Sequence, residues 1–112
     1  MKRIAKGENA LIKRNLKKAD GTDLLLADTT LLKAEVIQNG SVLETITYPH
    51  ARLRQGDTTS QVVLEINTTL SNMFTVGRVA VRWTIQIVSA VFSSELLQKD
   101  IITKDVLTVV DR

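Results

Sequence analysis

The chain has 112 residues, 44% of them hydrophobic and 24% charged, with a formal net charge of +3 and a mean hydropathy of +0.05. That length fits one domain with enough apolar material for a core, and it excludes a two-domain enzyme and a disordered tail. With no cysteine and one histidine, His50, disulfide frameworks, thiolate or multi-histidine metal sites and cysteine nucleophiles are excluded as well.

The charge is unevenly spread. Residues 1–18 carry seven basic side chains against Glu8 alone, a net +6, and the remainder sums to −3. Residues 1–7 therefore read as a basic N-terminal arm that seeks a negative surface, ahead of a β-domain over 8–112; the alternative is that the basic segment is a solvated strand edge, kept soluble by lysine that also blocks edge-to-edge pairing. Met1-Lys2-Arg3 resembles the start of a signal peptide, but Lys6, Glu8, Asn9, Lys13 and Arg14 interrupt any apolar segment behind it, so no signal peptide is expected. The longest apolar runs, such as Leu24–Ala27, are too short for a bilayer helix, so no membrane partner is expected.

From the arm onward, period two dominates. Ala10, Ile12 and Leu16 alternate with Leu11, Lys13, Asn15 and Lys17. A turn is expected at Asp20-Gly21-Thr22-Asp23, and Leu24–Leu32 fits no single element. Leu32, Ala34 and Val36 alternate with Lys33, Glu35 and Ile37, and the following Asn39-Gly40 predicts a type I′ hairpin, because both residues accept positive φ. Pro49 ends the next strand at Tyr48, since it cannot donate to a ladder.

A turn at Gln55-Gly56-Asp57 leads to Val62, Leu64 and Ile66 alternating with Gln61, Val63, Glu65 and Asn67. Leu70–Val76 is the least strand-like stretch, with Ser71 as the candidate cap of one helical turn. The clearest strand spans 78–89: Val79, Val81, Trp83, Ile85 and Ile87 share one face, and Ala80, Arg82, Thr84 and Gln86 the other. Trp83 and Phe92 are expected in the core. In the last strand Ile102, Lys104, Val106, Thr108 and Val110 share one face, and Asp105, Leu107 and Val109 the other. Apolar residues on both faces suit a central strand or contact with another chain. About seven strands at this spacing predict an all-β, antiparallel, immunoglobulin-like sandwich.

No catalytic constellation is legible. His50 reads as a surface loop residue, since a general base needs a nucleophile and an orienting acid. Asp20, Asp23 and Asp28 could offer oxygen ligands, but their spacing does not match the twelve-residue calcium loop. The five glycines are scattered singly, which rules out a phosphate loop. No cofactor and no metal is expected, and the sequon Asn67-Thr68-Thr69 has meaning only in a secreted chain. Four aromatics, two of them expected in the core, leave no stacking platform for nucleic acid. What remains is a protein interface built from Lys2, Arg3, Lys6, Lys13 and Arg14 of the leading segment and Arg78 and Arg82 of the best strand, where arginine suits a polar interface, with a solvated sheet face as the alternative for the strand.

The order of these pieces also resembles a known kind of module. The turn Asp20-Gly21-Thr22-Asp23-Leu24, the strand ending Val36-Ile37-Gln38-Asn39-Gly40, then Val62-Val63-Leu64-Glu65-Ile66, Gly77-Arg78-Val79-Ala80-Val81-Arg82-Trp83 and Asp105-Val106-Leu107-Thr108-Val109 resemble the immunoglobulin-like modules of tailed-bacteriophage virions. The pattern, over roughly residues 8–110, is closest to the N-terminal domain of upper baseplate proteins and to auxiliary capsid proteins. The resemblance implies a non-enzymatic virion protein made in the host cytoplasm and present in many copies per particle. It would decorate the capsid by binding the major capsid protein or other virion proteins. Alternatives are a tail, neck or baseplate connector and a bacterial immunoglobulin-like adhesion or carbohydrate-binding module.

Overall fold

The alternating runs become strands of two sheets in a computed structural model that describes residues 1–18, 21–88 and 97–111. Among them, in chain order, are β1 (Lys2–Ala5), β2 (Ala10–Asn15), β3 (Thr29–Gln38), β4 (Ser41–Thr47), β5 (Leu53–Gln55), β6 (Gln61–Ile66), β7 (Gly77–Val88) and β8 (Leu97–Val110). A single 3₁₀ turn, Leu26–Asp28, resolves the ambiguous stretch before β3. One sheet has the order β1-β8-β7-β3-β4 and the other β2-β6-β5. The fold is all-β, and alternate residues of both sheets bury one continuous core.

The core follows the period-two expectation closely. Val79, Val81 and Trp83 of β7, Leu32, Ala34 and Val36 of β3, and Val62, Leu64 and Ile66 of β6 are all buried. Phe92 lies outside the described residues; the second large aromatic of the described core is Phe74, which is 0% exposed. Phe74 is reached through a short helix, α1 (Thr68–Ser71), capped by Asn67, whose side chain accepts a hydrogen bond from the Leu70 N–H. This corrects the expectation that Ser71 is the cap. Asn67 has extended backbone and an acceptor at the right reach, whereas Ser71 is buried in the last turn and its hydroxyl accepts from the Gly7 N–H at 2.9 Å.

The Asn39-Gly40 hairpin forms with φ of 54° and 77°, and Gln38 pairs with Ser41 across it. The turn after Lys18 also forms: the Gly21 N–H donates to the Lys18 carbonyl, and Lys17 bridges to Asp23. Asp20 lies outside the described residues.

Two features depart from the expected antiparallel sandwich. First, Lys2–Ala5 is not free of the sheet. It forms an edge strand that runs parallel to β8, with Ile4 opposite Val109 and 5% exposed. One isoleucine among three cations, Lys2, Arg3 and Lys6, is a weak sequence signal, yet burying it against β8 outweighs leaving the segment solvated. Second, β8 changes face along its length. Val79 pairs with Leu107 but Ala80 pairs with Asp105, so Val106 is an extra residue in the ladder. Leu107 and Val109 point into the core on one side of this bulge. On the other, Ile102 and Lys104 pair with Trp83 and Val81 and take the inward side. The strict alternation expected for this strand is therefore broken at Val106.

Candidate protein interface

The outer face of the five-stranded sheet is a broad surface of small polar side chains and paired charges. Strand alternation fixes its membership: with Val79, Val81, Trp83 and Ile85 turned inward, β7 turns Arg78, Ala80, Arg82, Thr84 and Gln86 outward, although Thr84 is itself only 3% exposed among its neighbours. The registers with β3, β4 and β8 add Lys33 and Glu35, then Thr45 and Thr47, then Thr103 and Asp105. Exposed apolar residues stand toward opposite sides, Ile101 on β8 and Val42 on β4, 58% and 45% exposed.

Two arginines of this face are paired with acids. Arg82 donates from Nε to Glu35 Oε1 at 3.0 Å and from Nη2 to Oε2 at 2.7 Å, the forked geometry that suits guanidinium and carboxylate. Lys33 Nζ lies 3.9 Å from the same carboxylate. The hydrogen bonds from Arg82 hold the Glu35 carboxyl below its usual range, the charges of Arg82 and Lys33 add to this, and burial opposes it. The same bonds raise the Arg82 guanidinium. Arg78 reaches Asp105 at 3.5 Å.

The seven basic residues expected at an interface do not gather in one place. Arg3 and Arg78 both stand opposite Thr108, one from each side, so they share a row across β1, β8 and β7 on the outer face. Arg82 lies farther along that face. Lys2 alternates onto the side of Ile4 but is exposed at the sheet edge, and Lys6 is exposed in the turn that follows β1. Lys13 and Arg14 belong to the other sheet. Lys13 is exposed and paired with Asp57 at 3.4 Å. Arg14 is half-buried with its guanidinium 5.7 Å from the centre of the Trp83 ring. Lys33, Glu35 and the threonines were not legible as site residues, because pairing them with Arg82 requires the register between β3 and β7.

His50 is exposed in the turn between β4 and β5, and its Nδ1 accepts from the Arg52 N–H at 3.0 Å. Asp23 is paired with Lys17, and no group of three or more potential metal ligands gathers among the described residues. Compared with known proteins, the chain matches no family model, no curated protein and no solved structure.

Proposed function

We propose that this chain is a non-catalytic, immunoglobulin-like structural subunit of a tailed-bacteriophage particle, which decorates the capsid through the outer face of its five-stranded sheet. The strand order supports the immunoglobulin-like reading. Immunoglobulin-type sandwiches set strands C, F and G, with C′ added beside C, against B, E and D. Here β3, β7, β8 and β4 take the first set of places, and β2, β6 and β5 the second. The sequence resemblance to virion modules points the same way.

The observation that carries the docking role is the paired charge on an uncovered face. Five strands spaced about 4.8 Å apart, paired over up to about 40 Å of length, make a face of roughly 800 Å² in projection, the size one partner contributes to a standard interface. Because Arg82 and Glu35 already satisfy each other, covering that pair leaves neither as an isolated charge, which is the costly outcome in a buried interface, and Lys33 at 3.9 Å leaves the group one positive charge for a partner carboxylate to balance. A shallow surface of threonines and paired ions suits a broad protein neighbour better than a small ligand, which needs a concave site.

The test is sedimentation of the purified chain with tailed-phage shells that lack it, alongside its mass in solution by light scattering. A monomer that co-sediments with shells, and loses this when Thr47→Arg and Thr103→Arg are introduced together without change in circular dichroism, supports the reading. A closed ring that binds tails and not shells moves the chain to a connector position. Binding to neither overturns the proposal.

A further inference from the structure

The sandwich is open along one flank. Among the described residues β2 pairs only with β6, and β1 covers β8 only from Leu107 to Val110, so β8 from Ile101 to Val106 has no strand beyond it. Between these two uncovered edges lies a cleft of about 480 Å³, lined by Ile12 and Arg14 on one side, Ile102 and Lys104 on the other, and Trp83 and Ile85 behind.

The cleft is apolar at its back and cationic at its mouth. Arg14 alternates in step with the buried Ala10 and Ile12, so it points inward, and its Nε is buried without a hydrogen-bond partner. The bulge at Val106 turns Lys104 to the same side. Lys13 and Lys17 at the rim have Asp57 and Asp23 as partners, and Asp105 reaches Arg78. Neither Arg14 nor Lys104 has an acidic partner among the described residues.

We infer that this cleft takes an extended, acidic segment of a partner protein, laid as an added strand along β2. The open edge supplies main-chain hydrogen bonds, and alternate side chains of the guest enter the cleft. Apolar ones rest on Ile85 and Ile102, and a carboxylate sits between Arg14 and Lys104. Charge selects this occupant over a second copy of the chain. Joining two β2 edges would set Lys13 and Arg14 of one copy against those of the other, and inward-pointing cations on an edge strand oppose such pairing. The same cations complement a negative strand. This site is separate from the outer sheet face and does not depend on which assembly that face meets.

The test uses a short synthetic peptide whose cleft-facing alternate positions read valine, glutamate, valine, with threonine between them, titrated against the full chain. Trp83 is the only tryptophan, so its emission reports on the cleft directly. A saturable change in emission is expected, with slowed amide exchange at alternate residues of β2. Affinity should fall about tenfold or more in Arg14→Gln and in Lys104→Glu, and the second change is at an exposed position that leaves the core intact. A peptide with lysine in place of glutamate, or with a central proline, should not bind. No saturable change, equal binding of the lysine peptide, unchanged affinity in both variants, or binding without protection along β2 would each overturn the inference.

Discussion

Glu35 on β3 and Arg82 on β7 stand directly opposite each other, joined by two hydrogen bonds of 3.0 and 2.7 Å on the outer face of the larger sheet. The pair lowers the Glu35 pKa, and this fixes the sign of its pH dependence. Its contribution is complete above the ordinary glutamate value of about 4.3 and is lost as pH falls from there through the lower folded value. The Arg82→Gln variant should therefore be less stable than the parent at neutral pH, with the gap closing on acidification. Arg82 is 39% exposed, so added salt should narrow the gap as well. Urea unfolding of both proteins across a pH series measures this; a gap that stays constant into acid would contradict it.

The leading strand contributes to stability through one side chain. Ile4→Ala should destabilise by about 2–5 kcal/mol, because Ile4 is buried against β8. Arg3→Ala on the same strand should stay within about 0.5 kcal/mol, since Arg3 is exposed. Denaturant midpoints for the two variants separate a strand held by packing from one held by charge.

Trp83 and Arg14 form a pair that a double-mutant cycle can isolate. Trp83→Ala should cost about 3–5 kcal/mol through lost burial. The coupling between the Arg14 guanidinium and the ring should amount to about 0.5–1 kcal/mol. A coupling of zero would mean that Arg14 covers the indole without being attracted to it.

Gly56 is a position that admits no Cβ without a shift. An added Cβ would lie 2.2 Å from Gln61 Oε1 and 2.9 Å from Val63 Cγ2. The Gln61 side chain closes this turn: Oε1 accepts from the Asp57 N–H at 2.9 Å, and Nε2 donates to Asn15 Oδ1 at 3.1 Å. Gly56→Ala should cost about 1–3 kcal/mol. Combining it with Gln61→Ser should cost less than the sum of the single changes, because the shorter side chain vacates the space. Strict additivity would show that the clash lies with Val63.

The parts of the fold that were legible are those governed by neighbours along the chain. The alternation around Trp83 marked β7 because a half-buried strand separates its two faces, and Asn39-Gly40 marked its hairpin because both residues accept positive φ. The parts that were not legible depend on partners far away in sequence. Ile4 gains its burial from Val109 and its surroundings, so nothing near it announces a strand. The bulge at Val106 turns Lys104 inward against the local alternation, and only pairing with β7 reveals it. The Arg82–Glu35 pair depends on register between β3 and β7, which hydrophobic periodicity narrows to a face but not to a residue. Of the candidate interface residues, the sequence marked the basic ones by charge alone, and the structure spreads them over two sheets.

The parallel pairing of β1 with β8 also has a mechanical consequence. Because the first strand enters beside Leu107 and the last one leaves beside Ala5, tension applied through flanking residues at both ends would pull these two strands past each other lengthwise. Their ladder would be loaded in shear, so its bonds would have to yield together rather than unzip one at a time. A module connected through both ends would thus meet force first at its most cooperative seam.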